Sequence, residues 1–354
     1  MKKLRIHVLL PGLTSKAGGG TKIMYEYANR LAERGHEVHV YHSVAKPFRP
    51  MKSPVWFKWA LSFLRNKFSK SWFKFHASVK LHVVPDITDE YLPNADVVFS
   101  TWWELAYRVA TLSPEKGKKF NLIQSLEVWT GFEQEVYDSF KLPITHLVIA
   151  NYLKEAVYTH SGIMPIILNN AIDTQIFHIT RPIASRVAPK IIMLYSELAL
   201  KGSATALNVF RKLKQRLTDL EIILFSTFSK PANLEDWIDF HRNPANLHEL
   251  YNEASVFFSP SLIEGWALPP AEAMACGCAV VCTNIGGHAD YAMDGKTALM
   301  VSPADEKMME ERLFEVLSNP ELKNTLAKNG NEFINTHFNW DASVTQLEKL
   351  FLEN

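Results

Sequence analysis

At 354 residues the chain is too long for one ordinary core and suits two domains of roughly 150 residues each. Its 38 Lys and Arg against 37 Asp and Glu leave the whole-molecule field near neutral, which gives no reason to expect nucleic acid as a partner. Met1 to Leu10 has too short an apolar run for a signal peptide, and no window reaches the ~18 apolar residues of a spanning helix, so the expected location is the cytoplasm.

In chain order, "LRIHVLL" (4–10) reads as a buried strand and is followed by a glycine-rich turn, "SKAGGG" (15–20). Ile23, Met24, Tyr27, Ala28, Leu31 and Ala32 then recur at helical spacing, and Gly35 stands where a left-handed C-terminal cap is wanted. "HEVHVYH" from His36 is the next strand, and strand, helix, strand with short loops opens a doubly wound parallel sheet. Apolar runs at 81–84, 96–99, 120–124 and 146–150 extend that sheet into a first α/β domain. The alternation restarts at "KIIMLYS" (190–196), runs through a helix with Ala206, Leu207, Phe210, Leu213 and Leu217 on one face, and returns to a strand at "EIILFS". Residues 168–190, with Pro182 and Pro189, read as a linker. The expected division is 1–168 and 169–339, with a C-terminal helix at about 340–354 packing back on the first domain.

One segment stands apart. From Lys46 to Lys80 there are nine basic residues, no acidic ones and nine Phe or Trp. Trp56, Trp59, Ala60, Phe63, Leu64, Phe68, Trp72 and Phe75 fall largely at helical spacing. Two readings stand: an interfacial helix whose rings enter the head-group layer of an anionic membrane, or a surface helix packing its stripe on the first domain. Cys276, Cys278 and Cys282 lack a second cluster or paired histidines to complete a zinc site and read as small buried residues.

The chemistry concentrates in "EGWALPPAEAMACGCAVV" (264–281). After the strand-like "ASVFFSPS", Pro269 and Pro270 suit the first turn of a helix running Ala271 to Cys276 and stopping at Gly277. Glu264 is thus expected at the strand's C-terminal end and Glu272 in the first helical turn, both at the crevice where an open α/β sheet binds its ligand. A helix N-terminus favours phosphate, whereas two carboxylates repel it. A ligand with both a diphosphate and vicinal hydroxyl pairs satisfies both, because each diol donates to a carboxylate. A nucleoside-diphosphate sugar has a diol at each end.

In these residues the sequence resembles glycosyltransferase family 4 of the GT-B glycosyltransferases. Glu264 and Glu272 match its Glu-x7-Glu motif, and "NIGGHADYAMDGKTALMVSP", "AGGGTKIMYEYANRLAERGHEVHVY", "NNAIDTQIF", "LKGSATAL" and a C-terminal "FNW" match around it. The resemblance implies an α/β fold of two Rossmann-like domains facing a cleft, with a nucleoside-diphosphate sugar held mainly by the second. It implies transfer of a hexosyl or deoxyhexosyl group, with retention, to a saccharide or lipid-linked acceptor. Bacterial surface polysaccharide assembly on the inner face of the membrane is the setting it suggests. By the same resemblance Glu264 contacts donor-sugar hydroxyls near the reacting carbon, and Glu272 the ribose. Backbone groups of Gly265, Trp266, Ala267 and Leu268 meet sugar and phosphates, and Gly18, Gly19 and Gly20 let the first domain's backbone approach the diphosphate. Lys201 neutralises the leaving diphosphate, with Ser203 as the N-cap behind it.

The pattern is broken in two places. Ser196 and Glu197 stand where the family carries an arginine, and "LIQSLEVWTG" stands where many relatives carry a first-domain histidine. Gln124 and Glu127 occupy the latter place; Glu127 is read either as a catalytic contact to donor or acceptor or as a surface carboxylate. Lys22, Trp102, Trp103 and Gln124 are acceptor-side candidates, with core packing the other reading of the two tryptophans. No Asp-x-Asp triad occurs, so no metal is expected. The departures leave a catalytically silent GT-B scaffold as the alternative, whereas a glycoside hydrolase reading leaves the glycine loop and Lys201 without a task.

Overall fold

Short apolar runs pair in parallel to build two sheets, and the computed structural model describes residues 2–12, 18–49, 53–69 and 72–353, the side chains of 63–69 excepted. Ser15, Lys16 and Ala17 of the predicted turn lie outside the described residues, as do the side chains of Phe63, Leu64 and Phe68. The chain divides into two compact units, Met1–Asn169 with Asp341–Asn354, and Asn170–Trp340.

In the first unit, strands β1 (Arg5–Pro11), β2 (Glu37–Ser43), β3 (Lys80–Val84), β4 (Val97–Thr101), β5 (Lys118–Ile123), β6 (Thr145–Val148) and β7 (Ile166–Ile167) are ordered β3-β2-β1-β4-β5-β6-β7. Register is set by pairs such as Val8 with Val40 and Val8 with Phe99. Every residue of β4 is buried, as expected for a strand covered on both faces of a parallel sheet. Helices α1 (Gly19–Glu33), α2 (Val55–Ser69), α3 (Trp103–Thr111), α4 (Glu133–Ser139) and α5 (Asn151–Ser161) connect the strands. All six predicted core positions of α1 are buried, and Gly35 takes φ +92° just past its end. The C-terminal helix Trp340–Glu353 is held in this unit by Arg34 and His36 on Glu348, at 2.9 and 2.7 Å, and by Phe351 against Phe99 and Phe120.

The aromatic pattern at 46–80 does not form one helical stripe. Helix α2 ends at Ser69, and Trp72, Phe73 and Phe75 gather around Tyr25 of α1 with ring centroids 5.5, 5.1 and 4.6 Å away.

The second unit repeats the plan with β8 (Lys190–Leu194), β9 (Glu221–Ser226), β10 (Ile238–Arg242), β11 (Val256–Ser259), β12 (Ala279–Thr283) and β13 (Leu299–Val301), ordered β10-β9-β8-β11-β12-β13. Its helices are α6 (Ser203–Arg216), α7 (Leu247–Glu253), α8 (Leu268–Ala275), α9 (Gly286–Ala289), α10 (Glu306–Ser318) and α11 (Pro320–His337). Ala206, Phe210 and Leu213 of α6 join Ile191, Leu224, Phe258 and Val281 in one core. The predicted linker is not loose. Arg186 is buried, and its guanidinium donates to the carbonyls of Tyr251, Ala254 and Cys276 and to Asn252, pinning the segment to the second unit. The three cysteines are fully buried, and burial pushes the Cys278 thiol up to about 12, which removes it from thiolate chemistry at neutral pH.

Candidate active site

The second unit's sheet reverses its winding between β8 and β11, the place where an open α/β sheet opens a crevice for ligand. Two loops leaving these strands are locked together there. Gly202 has φ +66°, and a Cβ on it would lie 2.2 Å from the Pro260 carbonyl oxygen. The Leu262 N–H also donates to the Leu200 carbonyl at 2.8 Å. This contact delivers Lys201 Nζ to Glu264 Oε1 at 2.6 Å, and the Ser261 hydroxyl donates to the same oxygen at 2.8 Å. The short helix α9, after β12, closes in: a Cβ on Gly287 would lie 2.6 Å from both Glu264 Cβ and its carbonyl oxygen. A small cavity beside the pair is lined by Lys201, Ser259, Ser261, Glu264 and Pro269.

His288, the next residue of α9, ties it to β11 and β12. It is fully buried; Nδ1 donates to the Thr283 carbonyl at 2.8 Å, which leaves Nε2 to accept from the Ser259 hydroxyl at 3.1 Å. Burial holds its pKa below the usual imidazole range, so it serves as a neutral strut.

Helix α8 begins at Leu268 and not at Ala271. Pro269 and Pro270 fit inside its first turn because N–H groups there have no intrahelical partner to lose. Glu272 therefore lies in the second turn, not the first. It is buried, and the fully buried Tyr251 hydroxyl donates to its Oε2 at 3.3 Å. With prolines at the second and third helical positions, the first-turn donors left to this end are the backbone N–H groups of Ala267 and Leu268, preceded by those of Gly265 and Trp266. The Trp266 side chain belongs to the core, with ring centroids 4.9 Å from Tyr291 and 5.0 Å from Phe338. The Ala267 carbonyl accepts from Tyr291 at 3.0 Å. Ser203 is not the N-cap of α6. Gly202 holds that place in its left-handed conformation, and the Ser203 hydroxyl instead accepts from the Ser196 N–H at 2.9 Å. Ser196, standing where an arginine was expected, thus shapes the loop and brings no charge.

The first unit has its own reversal point between β1 and β4. Gly18 caps α1, and the Gln124 amide donates to the Gly20 carbonyl at 3.1 Å and to Thr101 Oγ1 at 3.0 Å, tying the glycine turn to the ends of β4 and β5. Lys22 is half-buried on α1. Trp102 is half-buried with φ +82°, an uncommon conformation for a bulky residue and the kind of strain that gathers at functional sites. Trp103, by contrast, is a core residue, packed on Phe48 at 4.7 Å and Phe132 at 5.6 Å.

Glu127 is no surface carboxylate. It is buried, its Oε2 accepts from the Trp103 N–H at 3.1 Å, and desolvation pushes its pKa up to about 8, with the nearby Glu104 adding to the rise. The folded protein therefore binds a proton that the unfolded chain releases near 4.5, so this site's contribution is fully present below that pH and is lost as pH rises to about 8. Glu127→Gln, which mimics the neutral acid, should match wild type in thermal unfolding below pH 4.5 and exceed it by a few °C at pH 8. Equal melting temperatures at both pH values would refute a protonated Glu127.

Sequence reasoning missed Ser261, Gly202, Gly287 and His288 as parts of the site. Their signals were a glycine between Lys201 and a helix, and a Gly-Gly-His run immediately after a strand. Among the described residues no group of three or more His, Cys, Asp or Glu side chains could hold a metal ion. Among them, too, no helix is long and apolar enough to cross a membrane.

Two Rossmann-like parallel-sheet units of this kind define the GT-B fold. The structure of Anabaena HepE in complex with UDP-glucose superposes on it with a TM-score of 0.76 at 14% identity, covering 99% of this chain and 100% of that one; at such identity the likeness speaks for the fold alone. Residues 179–333, within the second unit, match the model for glycosyl transferases group 1. The chain is 32% identical over 101 residues to an uncharacterized glycosyltransferase of Methanocaldococcus jannaschii, covering 28% of each. It is 29% identical over 188 residues to the MMP alpha-(1->4)-mannosyltransferase of Mycolicibacterium hassiacum, covering 49% of this chain and 45% of that one. The chain thus spans less than half the length of these curated relatives.

Proposed function

We propose that the protein is a retaining glycosyltransferase that moves a hexosyl or deoxyhexosyl group from a nucleoside-diphosphate sugar to a saccharide or lipid-linked acceptor. Its setting in this reading is bacterial surface polysaccharide or glycan assembly on the cytoplasmic face of the membrane, with no metal required. The observation that carries it is the Lys201–Glu264 pair, 2.6 Å apart at the reversal point of the sheet in the unit that matches the glycosyl transferases group 1 model. A ligand that brings phosphate and hydroxyl groups together can replace both halves of the pair: phosphate takes the ammonium, and donor-sugar hydroxyls donate to the carboxylate. Glu272 then serves the ribose, and the N–H groups of Gly265 to Leu268 serve the phosphates.

In the first unit, Gly18, Gly19 and Gly20 are assigned to the diphosphate, with Lys22, Trp102 and Gln124 on the acceptor side. Glu127, buried and bonded to the Trp103 N–H, is assigned to positioning Trp102 and the start of α3 rather than to contact with the acceptor. A mass-spectrometric screen of nucleotide sugars for slow donor hydrolysis should find at least one that is turned over. Absence of nucleotide binding at millimolar concentration in calorimetry would instead favour a silent scaffold.

A further inference from the structure

The described side chains of helix α2 (55–62) put apolar groups on two faces, one packed on the sheet and one exposed. Inward, the Trp59 indole donates to the Val83 carbonyl at 2.8 Å, on β3, the edge strand of its sheet. Outward, Trp56, Phe57, Ala60 and Leu61 are all exposed, Trp56 to 67%. Positions spaced by one, four and five residues share a helix face, so these four make one solvent-facing stripe. The other described aromatics of the segment are engaged elsewhere: Phe48 lies on Trp103 and Tyr107, and Trp72, Phe73 and Phe75 surround Tyr25. The stripe is therefore not an overflow of the core. Contiguous exposed apolar surface of this kind marks a contact site.

Charge names the occupant. Residues 46–80 hold nine basic residues and no acidic ones, leaving 29 Lys and Arg against 37 Asp and Glu in the rest of the chain. A second copy of the same face would bring like charges together, which opposes self-association. Exposed rings in a basic, acid-free segment instead fit a layer in which apolar chains lie beneath anionic phosphates. We propose that the outward face of α2, with Trp56, Phe57, Ala60 and Leu61 in a segment that is basic in sequence, docks the protein on an anionic phospholipid bilayer, the helix lying flat at head-group depth. This goes beyond the transferase reading and does not depend on it, because binding is measured with no sugar present.

The test is co-sedimentation of the full chain at low salt with phosphatidylcholine vesicles, with and without phosphatidylglycerol. Wild type should sediment with the anionic vesicles, and less so as salt rises. The variant Trp56→Ser/Phe57→Ser/Leu61→Ser should lose about tenfold or more of its bound fraction while keeping its circular dichroism and its vesicle-free donor hydrolysis. Wild type remaining in the supernatant, or the triple variant sedimenting equally well, overturns the proposal. So does a wild-type dimer that the variant converts to monomer with neither sedimenting, since the stripe is then a self-interface. Loss of hydrolysis in both proteins with sedimentation intact counts against the transferase reading alone.

Discussion

Replacing Lys201 with alanine is expected to lower donor turnover by about 100- to 1000-fold, the range for removing one fixed group that stabilises developing charge. Some stability should be lost as well, because the pair's side chains are only 26% and 13% exposed and removing the cation leaves a largely buried carboxylate without its counter-charge. Glu264→Gln keeps the shape and the Ser261 bond but replaces a charged acceptor with a weaker neutral one, so a loss of similar size is expected. The double variant should be little worse than either single one, because residues acting as a unit are not additive. Release of nucleoside diphosphate under saturating donor is the measurement. Wild-type turnover in both single variants would remove these residues from the reaction.

Gly202→Ala should cost about 3 kcal/mol or more of folding free energy, through a left-handed φ combined with a backbone collision. The added methyl would meet the Pro260 carbonyl at 2.2 Å, and the loop cannot retreat without breaking the Leu262–Leu200 hydrogen bond. Gly287→Ala is a different experiment. Its collision is with Glu264 Cβ and carbonyl oxygen at 2.6 Å, at a position with no left-handed φ. The expected result is a displaced carboxylate, with turnover falling by more than stability does. Urea denaturation reads the first variant and steady-state turnover the second; an unchanged midpoint for Gly202→Ala would show that the two loops are not in contact.

The fold was legible wherever the signal is local. The runs at 4–10, 190–196 and 254–261 became β1, β8 and β11, and the periodic faces of α1 and α6 became core, because a strand buried on both faces must be apolar throughout and a docked helix apolar at its own period. The Lys201 and Glu264 candidates were legible for a related reason: glycines and prolines beside them punctuate loops at strand ends. Burial of individual polar groups was not legible. Glu127 and Trp103 looked alike to any partner-free reading, yet both are inside, and the 46–80 aromatics split into inward and outward sets that periodicity alone merged into one stripe.

The sequence by itself determined the strands and helices with the clearest periodicity, and which short stretches carry the carboxylates, the lysine and the glycines, since these follow from side-chain period and backbone sterics within a few residues. Only the tertiary structure decided that Lys201 meets Glu264 across 63 positions, that burial raises the pKa of Glu127 to about 8 against the lowering effect of the Trp103 N–H bond, and that Trp56 and Phe57 are left facing water. Ion pairing, desolvation and exposure depend on neighbours that sheet order brings together from distant parts of the chain, and no local pattern encodes them.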